Sequence, residues 1–435
     1  MRTKKLYWHL AVVLTLSLLV AACGGSGAVS PSSSGSSKGP ITVAVFSGPE
    51  ADAIKTLAPQ FTKQTGIQVN FTEYSYEQLY SKEVQSATSP KPSYEIFFMD
   101  DPWMPTFAGG GYLYPMDNFG GFNAESQGFA PGALRVDRWP PLAPNLMPKG
   151  TDANATPHYY ALPTTANVTM FFYNTQLAQK YGIKLQTWND VNTLAEKVKN
   201  SGMAGYVLRG DGGNETVTDF GPILWAYGGE YFTNHWTSDL TSPQALAALQ
   251  EWLKLYSYGP SGEASFGTDQ VGNNMAHGQA AQGIVWPSGW AVHMPSSVGI
   301  TEVPGMNGKQ FPEVGVWSMG IAKNAARSNE DFQFIKWLTA ESQQRQYGGV
   351  GDDLPTLQSL LLDPTLNQKF PFYKTVYQSL EDSHMRPRTA AWPHVVEVLG
   401  GEIVKAELKQ ESPQEALQKA SQEIDQYMTQ NNLTT

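Results

Sequence analysis

From Ile41 onward the apolar positions switch repeatedly between two periods. ITVAVFSG, Ile41 to Gly48, alternates and is rich in β-branched residues, which predicts a strand running into a loop. Ala51 to Thr65 then sets Ile54, Leu57 and Phe61 on one helical face, with Gly66 at a stop position. Pro59, inside that span, predicts a kink or a restart. Ile67 to Tyr74 alternates again, and Gln78 to Ala87 reads as helix. Tyr94 to Asp100 is apolar throughout its middle, as a strand buried on both faces requires. Strand, helix, strand, helix, strand predicts a parallel sheet covered by helices.

A Gly- and Pro-rich stretch, 109–157, interrupts the pattern. Extended apolar residues return at Val168 to Tyr173. Thr187 to Asn200 predicts a helix with a Thr187/Asp190 capping box and Val191, Leu194 and Val198 inward. Gly205 to Gly210 reads as a short strand. Ser242-Pro243 opens a helix with Leu246, Leu249, Leu253 and Tyr256 on one stripe. Gln282 to Trp290 predicts a strand entering a tight turn, Val314 to Asn324 another strand, and Asp331 to Leu338 a helix. Ser412 caps a last helix with Leu417, Ala420, Ile424 and Tyr427 inward. The class is α/β with long, aromatic-rich loops, and no repeat recurs at a fixed period.

The start of the chain has another character. Arg2, Lys4 and Lys5 precede an apolar run, Leu10 to Ala22, then small residues and Cys23, the only cysteine. The run is about 13 residues, short of the roughly 20 that span a bilayer, and reads as an export signal. Leu19-Val20-Ala21-Ala22-Cys23 resembles the lipobox of bacterial lipoproteins. That resemblance implies cleavage before Cys23 and acylation of its thiol. Gly24 to Gly39 is almost wholly Gly, Ser, Ala and Pro, a flexible tether. Residues 1–22 are therefore expected to be a signal peptide, and 23–40 a lipidated cysteine with its linker.

Composition narrows the chemistry. One cysteine excludes a disulfide framework or a thiolate metal site. The seven histidines form no HxH or HExxH pair, so no metal is expected. Net charge is -10 with no basic run, which argues against nucleic acid. Ser288 lies in Pro-Ser-Gly and not in a nucleophile elbow. Gly210 to Glu215 lacks the Gly-Lys-Ser ending of a phosphate loop. Asp100-Asp101 and Asp352-Asp353 are adjacent, and neighbours on a strand face opposite ways, so neither pair can flank a glycosidic bond. Two acids from distant segments stay open. No enzyme activity and no cofactor are expected.

Acidic and aromatic residues instead gather where strands end: Glu50, Tyr74 and Tyr76, then Asp100, Asp101 and Trp103. Trp225 and Tyr227 precede Gly228-Gly229, Trp286 and Trp290 close a later strand, and Trp392 follows Arg386 and Arg388. Ligands of open parallel sheets bind outside the carboxyl ends of the strands. There an indole face can stack on a sugar ring while carboxylates and guanidinium groups take its hydroxyls. Core packing is the competing reading for each aromatic.

Successive segments carry a resemblance: LAPQFTKQTGIQVNF, YEIFFMDDPWMPTFAGGGYLYPMD, YYALPTTANVTMFFYNTQLAQKYGI, TWNDVNTLAEKV, AYGGEYF, GIVWPSGW and VGVWSMGIAKNAARSNEDFQFIKWLT. Their order is similar to that of the extracellular solute-binding proteins, family 1, of ABC transporters. The resemblance implies a two-lobed, type II periplasmic-binding-protein-like fold, ligand held between hinged lobes. One lobe would be 41–160 plus 284–323, the other 161–283 plus 324–435, with crossings near Leu162-Pro163-Thr164 and Val285 to Pro287. It places Ser47, Glu50, Asp100, Asp101, Trp103, Thr165, Asn167, Arg209, Asp211, Trp290, Trp317, Arg386, Arg388 and Trp392 at the ligand; Tyr74 and Trp286 join them from the strand-end pattern. The implied function is a lipid-anchored, monomeric, extracytoplasmic receptor that captures an oligosaccharide, disaccharide or polyol and delivers it to the membrane permease subunits. A surface glycoside hydrolase and a receptor for an anionic sugar or other solute are the alternatives. For Arg386 and Arg388 a role bracing the hinge stands beside ligand contact.

Overall fold

The computed structural model describes residues 39–141 and 155–434. The expected signal segment, Cys23 and nearly all of the tether lie outside the described residues. β1 (Ile41–Phe46), β2 (Val69–Tyr74) and β3 (Ile96–Asp100) are parallel, with β1 between the other two. The helix between β1 and β2, Pro49–Thr65, ends at Gly66, whose φ of 76° is the left-handed cap that glycine tolerates best. It passes through Pro59 without restarting. Ile54 and Leu57 before the proline and Phe61 after it are buried, so packing on both sides holds the helix across the missing N–H donor.

β4 (Ala161–Thr165) belongs to the first sheet, and β5 (Met170–Asn174) begins a second. There β5 is central and antiparallel to β6 (Gln282–Val285) and β7 (Val298–Thr301). β8 (Trp317–Ile321) returns to the first sheet between β3 and β4, antiparallel to both. The first sheet is thus mixed, in the order β2-β1-β3-β8-β4, where strand–helix alternation predicted a parallel one. The alternation describes only the local units of β1 to β3. β8 arrives from the second sheet, enters at the edge where β3 ends, and so runs the other way.

Gly205 to Gly210, read as a strand, contributes only an isolated bridge from Val207 to Gly283, beside one from Ala204 to Ala280. The N–H groups of Leu208 and Arg209 donate to the carboxylates of Glu263 and Asp219 at 2.8 and 3.1 Å, which leaves no ladder to propagate. The predicted caps form: Thr187 with Asp190 on helix Trp188–Val198, Ser242 on Pro243–Tyr256, and Ser412 with Glu415 on Pro413–Gln430. In Pro243–Tyr256 the buried stripe is Ala245, Ala248, Leu249, Trp252 and Leu255, a rotation away from the predicted one. Two alanines bring the helix close, and Trp252 fills the remaining space.

Apolar packing divides into two clusters. One builds on the first sheet and takes in Phe334 and the stretch from Leu354 to Leu380; the other holds helices Trp188–Val198, Gly213–Ala226, Pro243–Tyr256, Trp392–Glu407 and Pro413–Gln430. Residues after 324 therefore do not all go to the second cluster, as the resemblance implied. Phe61 meets Phe334 at 5.1 Å and Trp337 at 5.5 Å, which ties helix Ser328–Leu338 to the first sheet. Strand pairing likewise keeps 284–285 and 298–301 with the second sheet. Three described segments join the two halves: 166–169, 302–316 and 383–391. They are laced together. Thr169 N–H donates to the Glu313 carbonyl at 2.9 Å, Gly315 N–H to Asn167 at 3.0 Å, Val314 N–H to His384 at 3.0 Å, and His384 N–H to Pro312 at 2.8 Å.

Candidate functional site

The carboxyl ends of β1 to β3 and the start of β8 share one edge of the first sheet. The sheet register alone brings Asp100 opposite Trp317 there. Trp317 stacks on Phe46 at 5.3 Å and Phe98 at 4.8 Å, and meets Trp103 edge-on at 5.7 Å. Trp103 also packs on Tyr76 and Tyr80. Both indoles, expected to offer a face to a ligand, are buried by this cluster. Tyr74 turns aside: its hydroxyl pairs with that of Tyr94 at 2.5 Å. Tyr76, two residues on, reaches the site and donates to Asp100 Oδ2 at 2.7 Å. Ser47 is exposed beside Glu73.

The third connecting segment carries the arginines, and it returns them to this edge. Arg386 forks onto Asp100, Nη1 to Oδ2 at 2.9 Å and Nη2 to Oδ1 at 2.8 Å, and Nη2 also donates to Asp101 Oδ1. Its Nε lies 3.6 Å from Glu313 Oε1. All four side chains are at most 5 % exposed. Arg388 donates to the carbonyls of Asp101 and Val136 at 2.7 and 2.6 Å. Such an arginine ties one connecting segment to the first sheet, which is what bracing requires. On the other side Arg209 is clamped by Asp219 through Nε and Nη2, reaches Thr268, and lies 5.3 Å from the ring of Trp286.

A second polar group surrounds the first connecting segment. Thr165 donates to Asp353 Oδ2 at 3.1 Å, and Asn167 stands between Glu50 and Ser288, 3.5 Å from Glu50 Oε1 and 3.4 Å from the Ser288 amide. Asp353 is also capped by the Leu354 N–H at 2.7 Å. Glu50 is 6 % exposed, and its Oε2 has no hydrogen-bond partner among the described residues. Burial pushes the Glu50 carboxyl up, with Asp100 adding to it.

The remaining expected residues spread out. Trp286 is half-buried, its ring edge over Gly315, where a Cβ would come within 2.4 Å. Trp290 is half-buried, its ring against Gly272 of helix Thr268–Ala276. Asp211 is exposed, its carboxyl pushed up to about 7 by partial burial and by Glu215. Trp392 is buried in the second cluster, edge-on to Tyr231 at 5.0 Å. A cavity of about 390 Å³ opens elsewhere, between Trp225 to Trp236 and the third segment. Met385 and Pro387 line it while Arg386, between them, points to Asp100.

Sequence reading missed Asp137, Asp219, Glu313 and Asp353 as partners. Burial pushes Asp137 up to about 8, opposed by its hydrogen bond from Ser318 and by Arg388. Burial likewise pushes Glu313 to about 8 and Asp101 to about 7, each opposed most by Arg386. An acid with a raised folded-state pKa holds its proton where the unfolded chain has lost it. Its contribution to stability is full below the ordinary 3.8 and lost as pH rises through about 8. Calorimetry is therefore expected to give a higher Tm at pH 5.5 than at pH 8, roughly, and Asp137→Asn is expected to shrink that difference. An unchanged difference in the variant would remove Asp137 from the account.

Among the described residues no group of three or more histidine, cysteine or acidic side chains could hold a metal ion, and no helix is long and apolar enough to cross a membrane.

Comparison with known proteins bears on the whole arrangement. The pattern of the bacterial extracellular solute-binding proteins matches residues 47–345. A probable amino-acid ABC transporter periplasmic-binding protein of Sinorhizobium fredii is 25 % identical over 409 residues, 89 % of each chain. A solute-binding protein of Agrobacterium radiobacter, solved with ribitol, superposes with a TM-score of 0.77 at 22 % identity over 89 % of this chain and 98 % of that one. Maltose-bound MalE3 of T. maritima gives 0.77 at 22 % over 90 % and 100 %, and an Agrobacterium vitis protein with D-mannitol gives 0.77 at 19 % over 91 % and 99 %. The fold is the two-lobed one of these ABC solute-binding proteins. With its connecting segments laced at the hinge and its acids and aromatics gathered at the strand ends, this chain belongs to the bacterial extracellular solute-binding protein family.

Proposed function

We propose that the protein is the lipid-anchored receptor of an ABC importer, which captures a sugar or polyol between its lobes and passes it to the permease. The observation that supports this reading is the polar group of Tyr76, Asp100 and Arg386 at the strand ends, with Glu50 beside Asn167 of the first connecting segment, in a chain whose half-buried indoles Trp286 and Trp290 follow β6. A hydroxyl can donate to a carboxylate oxygen left open, such as Glu50 Oε2, and an indole face covers the apolar side of a ring. Ribitol, D-mannitol and maltose are the ligands named for three neighbours of the same fold. Lobe closure would be a hinge motion about the laced segments. The hydrolase alternative is weaker, because Asp100 and Asp101 are already ion-paired to Arg386.

A thermal-shift panel of mono-, di- and oligosaccharides and sugar alcohols tests capture, with a rise in Tm expected for at least one member. No rise with any of them would count against it. Anchoring rests on Leu19 to Cys23. Cys23→Ser is expected to move the protein from the membrane to the soluble fraction, since two or more acyl chains on that residue would supply stable attachment. Retention of the variant on membranes would defeat the anchor while leaving ligand capture untouched.

A further inference from the structure

We infer that the site prefers a polyhydroxyl ligand carrying an amine and turns away anionic sugars, an inference that rests on the proposed function and names its ligand class. Three arginines near a sugar site invite the opposite reading, a receptor for a sugar acid. Each of them is already committed. Arg209 is held by Asp219 and Thr268, Arg386 by Asp100 and Asp101, and Arg388 by the carbonyls of Asp101 and Val136. Lys55, beside Ser47 through Glu73, is paired with Asp52 and Glu73.

What is left open at the site is a carboxylate oxygen. Glu50 Oε2 is buried without a hydrogen-bond partner among the described residues, whereas Asp101 Oδ2 and Glu313 Oε1 lie 3.7 and 3.6 Å from Arg388 and Arg386. Near the start of helix Gly213–Ala226, Asp211 is pushed up by partial burial and by Glu215, while Glu215 accepts from the Thr268 N–H. An ionised carboxylate only accepts, whereas an ammonium offers three donors and no acceptor. An amine placed against Glu50 Oε2 would satisfy a group the protein leaves open. A carboxylate or phosphate at that point would meet a like charge with no counter-ion, the arrangement that specificity by exclusion uses. An α-amino acid, the ligand class in the name of one relative, brings such a carboxylate along with its amine.

The test is calorimetric, on the full chain near neutral pH, with ligands matched except for charge: sorbitol, glucamine and gluconate, and glucose, glucosamine and glucuronate. In each set the amine is expected to bind about tenfold tighter than the neutral member, and the acid at least tenfold more weakly, factors that one charge-assisted contact supplies. Glu50→Gln, which keeps shape and removes charge, is expected to bring the amine-to-neutral ratio close to one. An acid that binds as well as the neutral sugar, or an amine that binds no better, overturns this inference and leaves sugar capture standing. The same holds if a neutral sugar of the thermal panel binds and no amine does. Silence across both panels overturns both readings.

Discussion

Arg386→Ala is expected to lower the unfolding free energy by about 3–5 kcal/mol, because it removes one partner of a buried charge group and leaves the rest uncompensated. The guanidinium serves Asp100 through two parallel bonds, Asp101 through a third, and stands 3.6 Å from Glu313. None of these acids can turn to water, since all are at most 5 % exposed. The variant's acids would have to take up protons, so the loss should be larger at pH 8 than at pH 6, roughly. Arg386→Lys is expected to recover only a minor part, because an ammonium cannot fork onto Asp100 and reach Asp101 as well. Chemical denaturation followed by tryptophan fluorescence reads the effect. A loss under about 1 kcal/mol would mean that the acids already sit protonated around the arginine, and the charged description of this group would be wrong. The consequence is also functional. Arg386 pins the third connecting segment to the first sheet, so its removal is expected to loosen the joint about which the lobes close.

This pair illustrates what the chain discloses and what it withholds. Asp100 and Arg386 each stand out in the sequence, the one ending an apolar strand, the other in a Pro-flanked, charged segment. Their partnership spans 286 positions, and no local pattern encodes it. β1 and β2 were legible because each is followed by its own helix, so the period changes announce them, and β3 because it is apolar throughout its middle. The direction of β8 was not, because it depends on which sheet the chain comes from. Tyr74 and Tyr76 show the limit of the alternation argument. Tyr74 ends β2 and follows its pleat toward Tyr94, whereas Tyr76 opens the next helix and swings to Asp100. Asp219 left a signal that could have been used. It stands in the largely apolar run from Thr216 to Ala226, and a charge there needs a buried partner, which is Arg209. Glu313 left none, being one acid in a loop until the three connecting segments close around it.

Trp290→Ala is expected to weaken sugar capture by about 30-fold, near 2 kcal/mol, the size of loss that marks an aromatic anchor. Four of the tryptophans singled out as ligand contacts or near them, Trp103, Trp225, Trp317 and Trp392, are buried, so truncating them should act on stability and only then on binding. Trp290 differs. It lies in the turn after β6, where Gly289 takes a φ of 73° and Trp290 itself remains half-buried. Its ring lies so close to helix Thr268–Ala276 that a Cβ at Gly272 would come within 2.4 Å of it. If the proposed capture holds, the helix would support the ring and spare the rotamer cost of ordering it on binding. This gives a variant that keeps the indole in the chain and shifts only its position. Gly272→Val should push the ring off its support and reproduce much of the loss seen with Trp290→Ala, whereas Trp290→Phe should retain part of the affinity. Calorimetry with whichever sugar the thermal panel selects reads all three. If Trp290→Ala and Gly272→Val both bind as the unaltered chain does, the ring is packing and not platform, and the weight of recognition shifts to Trp286 beside Arg209.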